Sequence, residues 1–192
     1  FDIANDTVYG VSRNQTYRFH PAKGAAELLA APETFTPTRV RVAGTDCVLG
    51  GSNTVALWRQ GEQLWRQSLA SSLASEILFL QERDAIAFGT SDGTLHCLGR
   101  DDGAVRWKRP LDTSVPGPLY RSGDLVLAVD GENRLVALDP ESGELRWRHP
   151  LRDRLVRAPL RIGGKLLLAV QSNELIVANP ATGAEENNKS WP

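Results

Sequence analysis

Gly143-Glu-Leu-Arg-Trp147 recurs upstream as Gly103-Ala-Val-Arg-Trp107 and Gly61-Glu-Gln-Leu-Trp65, so a glycine precedes a tryptophan by four residues three times over. The tryptophans stand 42 and 40 residues apart. A fixed turn and aromatic returning at a period near 40 marks a repeat architecture. Aligning on the glycine adds Gly24 and Gly183, which makes five units. The outer two depart from the pattern, with Leu28 and Asn187 at the tryptophan position.

Unit four shows the grammar of each copy. Residues 118–121 form a short extended stretch, Ser122-Gly123 breaks it, and 124–129 is rich in β-favouring residues. Asp130-Gly131-Glu132-Asn133 is turn chemistry, because Gly and Asn tolerate positive φ. A third strand follows over 134–138 and a second turn over 139–143. Residues 144–148 then alternate charged and apolar, as a strand with one buried and one wet face does. Units two, three and five repeat the plan; unit one keeps strands near 7–11 and 16–19 but starts too late to show its first.

Four short antiparallel strands per unit make a β-propeller blade. The expected fold class is therefore all-β, a propeller of four-stranded antiparallel blades with units at approximately 1–34, 35–73, 74–114, 115–154 and 155–192. A β-sandwich shares the turn spacing but not the period. A helical solenoid conflicts with Gly and Pro every dozen residues or fewer, and only 25–31 could pass for a helical turn.

Bulk properties exclude little. The 192 residues are 41% hydrophobic and 23% charged with net charge −1, so nothing global points to nucleic acid or a lipid surface. No apolar run has the length of a membrane span. The absence of Met and the start at Phe1 suggest a processed or excised portion of a longer polypeptide. Cys47 and Cys97 sit in apolar runs and in no Cys-x-x-Cys; buried free thiols are expected, and a disulfide stays open. Asn5, Asn14 and Asn188 head Asn-x-Ser/Thr triplets, which matter only in a secretory setting.

The string from Ala137 through Asp139, Ser142 and Gly143 to Trp147 resembles the tryptophan-docking motif of PQQ-like propeller repeats, Ala-x-Asp-x-x-Ser/Thr-Gly-x-x-x-Trp. Unit three keeps Gly103 and Trp107 with Cys97 for the alanine and Gly99 for the aspartate. Unit two keeps Gly61 and Trp65, and unit five keeps Asn179, Thr182 and Gly183 without the tryptophan. The resemblance covers nearly the whole chain, strongest in units three and four and weakest in unit one. It implies that each tryptophan packs between blades while the aspartate and Ser/Thr tie down the turn. Such repeats occur in quinoprotein alcohol dehydrogenases, in BamB-type scaffolds of bacterial outer-membrane assembly and in sensor domains. Family rings usually close with seven or eight blades. Five units therefore imply part of a larger ring, completed by the same or another chain, with apolar blade faces to be covered. The family also leans toward a periplasmic or other extracytoplasmic site.

Candidate chemistry is sparse. The pairs Asp101-Asp102 and Glu185-Glu186 are adjacent in sequence, unlike carboxylates that converge across a glycosidic bond. Asp92-Gly93 and Asp130-Gly131 are fragments of calcium loops without the spaced acidic ladder. His20, His96 and His149 have no second His at i+2 or i+4, and His149 is expected at the surface. No Gly-x-Ser-x-Gly elbow or Gly-x-x-x-x-Gly-Lys phosphate loop is found. A quinoprotein would add adjacent cysteines, a catalytic Asp and calcium-binding carboxylates, whereas Cys47 and Cys97 lie fifty residues apart. Catalytic, cofactor-binding and metal residues are accordingly all expected to be none.

Trp107 and Trp147 have charged neighbours on both sides, so their rings should face inward; Trp58 and Trp191 lie off the motif and are freer for a partner. Arg146, Arg148, Arg152, Arg154, Arg157 and Arg161 crowd between Glu144 and Lys165, with Asp153 the one acid inside the run. They form either a solvated strand face or a positive surface for an acidic protein or anionic lipid, with nucleic acid least favoured. The connections at 113–117 and 152–157 are where contact is expected. The function expected is a non-catalytic propeller scaffold for protein–protein interaction, reaching a membrane only through a larger assembly. A fragment of a PQQ-dependent oxidoreductase and a ligand-sensing propeller domain are the alternatives.

Overall fold

Every turn of the repeat closes an antiparallel pair, and four strands complete each blade. The computed structural model describes residues 2–4, 7–12, 15–30 and 35–190, with backbone alone at 4, 30 and 187–190. Blade one holds β1 (Asp2–Ala4), β2 (Thr7–Ser12), β3 (Gln15–His20) and β4 (Ala25–Ala30). Blade two holds β5 (Pro37–Ala43), β6 (Asp46–Gly51), β7 (Thr54–Arg59) and β8 (Glu62–Ser68). Blade three comprises β9 (Leu78–Leu80), β10 (Ala85–Gly89), β11 (Thr94–Gly99) and β12 (Val105–Pro110). Blade four comprises β13 (Tyr120–Ser122), β14 (Leu125–Val129), β15 (Arg134–Leu138) and β16 (Leu145–Pro150). Blade five comprises β17 (Leu160–Ile162), β18 (Lys165–Ala169), β19 (Glu174–Ala178) and β20 (Glu185–Ser190).

All five sheets are meanders in sequence order, so the chain is all-β and forms part of a β-propeller. The first strands of neighbouring blades touch, β1 with β5 and β9 with β13, which places them on the inner side and the fourth strands outside. Among the described residues no helix is long and apolar enough to cross a membrane. One expectation for blade one needs correction. Its first strand is present as β1, paired with β2 through Ile3 and Val8. Residues 25–30, part of the one stretch that could pass for a helical turn, form β4 as the all-β reading requires, because pairing with β3 overrides the helix propensity of Ala, Glu and Leu.

The fourth strands carry a bulge that fixes the tryptophans. The register slips between Leu57 and Trp58, between Cys97 and Leu98, and between Ala137 and Leu138. Trp65, Trp107 and Trp147 follow the extra residue and pair with Leu57, Cys97 and Ala137. Asn187 takes that place in blade five, opposite Val177. In blade one the residue opposite the equivalent Thr16 is Ala30, not Leu28. The turn there is built from a 3-10 segment, Pro21–Lys23, with Gly24 at its end, and the longer hairpin shifts the count by two.

The core runs through blades two to five, and among the described residues blade one joins it only through the half-buried Tyr9, Val11 and Leu29, packed against the Val40, Leu49 and Trp58 cluster of blade two. One cluster joins blades two, three and four, and another joins four and five. Among the described residues of blade one, the buried side chains are Asp2, Thr7 and Thr16, all polar. Blade five buries Leu166, Leu168, Ile176 and Ala178, while Leu160 and Ile162 on its first strand are 58% and 60% exposed. An apolar face therefore stands open at that end.

Candidate functional site

Three seams between blades are built alike. The Trp65, Trp107 and Trp147 side chains are 7–8% exposed. Each lies on the motif glycine of the next blade, Gly103, Gly143 and Gly183. A Cβ on Gly143 would come within 2.6 Å of the Trp107 ring, and the residue sits at φ +69°, so two separate constraints select glycine. Each indole N–H donates to a carbonyl three residues before that glycine: Trp65 to Arg100 at 2.7 Å, Trp107 to Pro140 at 3.0 Å, Trp147 to Pro180 at 2.8 Å. The buried donor is thus satisfied.

The turns are held from within. Asp139 Oδ1 accepts from the backbone N–H groups of Glu141 (2.8 Å) and Ser142 (3.0 Å), and Ser142 Oγ accepts from Glu144 N–H at 3.2 Å. The Arg146 guanidinium and those backbone donors hold the Asp139 carboxyl down at about 2. In blade five Asn179 and Thr182 accept from Ala181 (2.8 Å) and Ala184 (3.3 Å). Blade three exchanges the roles: Asp102 accepts from Ala104, and a Cβ at Gly99 would collide with the Asp102 carboxylate. Gly61 differs, in a two-residue hairpin with Gln60, both at positive φ (90° and 54°), and no ring reaches it.

The connections expected to make contact meet in one cleft. Residues 111–119 lead into blade four, anchored by buried Leu111, Val115 and Leu119 and by a 2.7 Å bond from Gly131 N–H to the Ser114 carbonyl. Residues 151–159 lead into blade five, tied by Leu151 N–H to Asn133 (3.0 Å) and Gln171 N–H to Arg154 (2.9 Å). Between them lies a cleft of about 370 Å³, with Pro116, Gly117 and Pro118 on one wall and Arg154 and Leu155 on the other. Tyr120 and Asp130 line it as well. Asp130, which sequence reasoning passed over as a turn residue, is buried there and accepts from Arg134 N–H (3.0 Å) and Arg134 Nε (2.8 Å).

The arginines do not form one positive face. Arg146 pairs with Asp139, Arg148 with Asp112 at 2.9 Å, Arg152 with Glu185 at 2.9 Å and Arg161 with Asp124 at 2.7 Å. Among the described residues Arg154 and Arg157, both exposed, have no carboxylate partner. Neighbouring blades supply Asp112, Asp124 and Glu185, which local sequence could not reveal. His149 is half-buried with Glu185 at 3.9 Å rather than freely exposed. Trp58 is 6% exposed and tilted against Phe35 at 6.2 Å, so its body is core. Trp191, Asn5 and Asn14 lie outside the described residues, and Asn188 is described by its backbone in β20.

The two cysteines are not placed side by side as the resemblance to quinoproteins would require. Cys47 and Cys97 are free and buried on β6 and β11, in separate blades. Burial pushes their thiols up to about 12 and about 11, so neither is an activated nucleophile. Among the described residues no three His, Cys, Asp or Glu side chains cluster to hold a cation.

BamB from Moraxella catarrhalis has a similar structure, with TM-score 0.69 and 19% identity over 79% of this chain and 48% of that one. The computationally designed Ika8 protein is similar with TM-score 0.78 and 14% identity, over 100% of this chain and 61% of that one. This chain thus spans less than two thirds of either, and identities so low speak for the fold alone. No curated protein matches the sequence. The model of the family described as outer membrane protein assembly factor BamB matches residues 51–191, the stretch that holds all three docked indoles. The chain therefore belongs to this PQQ-like, BamB-type propeller family.

Proposed function

We propose that the chain is a non-catalytic propeller scaffold that holds an acidic segment of a protein partner at the cleft between blades four and five. Membership of the BamB-type family supports a protein-interaction scaffold at a coarse level. The observation that carries the finer reading is the convergence of 116–118 and 154–155 on one cleft, which Arg154 lines with no carboxylate partner among the described residues, while the exposed Arg157 follows on the same connection. Docked indoles make the frame rigid, so the loops are presented in fixed relative positions. Steering by Arg154 and Arg157 would act mainly on association rate and fade with salt. The open face of blade five is covered, in this reading, by further blades of the same or another chain.

A photo-crosslinking residue at 154, at 117, and at the exposed outer-strand position 62 tests the proposal in the protein expressed in its native cell. The same protein adduct is expected at 154 and 117, weaker after Arg157→Glu and absent at 62. Equal adducts at all three sites would contradict it. A rise in melting temperature on adding pyrroloquinoline quinone with calcium would favour an oxidoreductase instead.

A further inference from the structure

We infer that the seam between blades one and two is a receptor for one aromatic side chain, a tryptophan above all, delivered by another polypeptide. The three other seams are each closed by an indole lying on a glycine. Here the register position of that indole, opposite Thr16, belongs to Ala30 rather than to a tryptophan. Gly61, the motif glycine of blade two, has nothing within 4 Å of where a Cβ would stand. A cleft of about 410 Å³ lies in the gap. A cavity of roughly 150 Å³ already takes a benzene ring, so a bicyclic ring has room.

The lining suits a planar ring more than an aliphatic chain. Tyr9 and an edge of the otherwise buried Trp58 supply aromatic surface, and Leu29 and Val42 supply apolar walls. Arg18 lies at the rim with its guanidinium fixed by Glu27, placed to sit over an aromatic face. Leu28, also at the rim, is 55% exposed and does not fill the gap. A polypeptide donor is favoured over a free molecule for two reasons. The sister seams receive their ring from a strand, and β4 beside the cleft is the last strand of its sheet, with no further strand paired to it among the described residues, so that a second chain can lie along it. The inference does not rest on the arginine-flanked cleft, which is at the other end of the chain.

The test is a titration of the isotope-labelled 192-residue chain, followed through its backbone amide resonances, with a Gly-Gly-Trp-Gly-Gly peptide blocked at both ends. The leucine analogue and free indole are titrated in parallel. Saturable shifts confined to Val42, Gly44 and Gly61 are expected with the tryptophan peptide, and binding about tenfold weaker with the leucine peptide. Ala30→Trp should fill the gap in cis and abolish the response while keeping the dispersed spectrum. Tyr9→Ala, a half-buried wall residue, should weaken the response should the first variant fold poorly. Shifts that never saturate, that survive both substitutions, or that free indole alone produces would overturn the inference.

Discussion

Blades one and five both stand at an end of the described propeller, each with a single packed neighbour, yet they are attached by different means. Blade five meets blade four through Trp147 on Gly183 and buries Leu166, Leu168 and Ile176 in the joint cluster. Blade one meets blade two without an indole: Tyr9, Val11 and Leu29 pack half-buried against the blade-two cluster, and the Asp2 carboxylate accepts from Val42 N–H at 2.7 Å and from Arg41 at 3.0 Å. Its fully buried Thr16 hydroxyl has no partner among the described residues, a cost of about 1–3 kcal/mol. Partly exposed ion pairs contribute about 0–1 kcal/mol each. Burying a large side chain contributes about 1.5–3 kcal/mol, before the cavity its removal would leave. The comparison teaches that the repeat sets the shape of every blade, while the indole sets how firmly a blade is held.

The largest way to break the contrast is Trp147→Ala. It should destabilise the blade five seam by about 3–5 kcal/mol, read from urea unfolding. Next come glycine substitutions at matched turns. Gly143→Ala combines left-handed strain of about 1–2 kcal/mol with a clash against Trp107 that costs about 1–3 kcal/mol more. Gly61→Ala meets empty space and should show the strain alone. Equal losses at the two glycines would mean that the ring contact is unimportant.

The smallest effect is on acid stability. Asp139 has its carboxyl lowered by Arg146 and by turn N–H groups to about 2. A carboxyl depressed on folding stabilises above its unfolded pKa, near 3.9, and that share disappears as pH falls through about 2. Wild-type protein should therefore lose stability between about pH 4 and 2 more steeply than Asp139→Asn, followed by the urea midpoint at each pH. The difference should be small, because the paired Arg146 is exposed.

The seams were legible because everything that makes them is local. Glycine, bulge and tryptophan lie within five residues of each other, and the period then says which glycine each ring will meet. The two connections were legible for the same reason, since aligned repeats put equivalent loops at one end. Charge partners were not. Arg148 finds Asp112, Arg161 finds Asp124 and Arg152 finds Glu185, all across blades, so a run that looks cationic on paper is largely neutralised in space. Ala30 was hidden by the longer hairpin at 21–24, and buried Trp58 by its apparent freedom from the motif.

Amide hydrogen exchange on the 192-residue chain tests most directly whether docked indoles hold the blades. The account predicts that amides of β2 and β3 open with a free energy below those of β18 and β19 by about the worth of one buried indole, roughly 3 kcal/mol. Equal protection in the two end blades would contradict it.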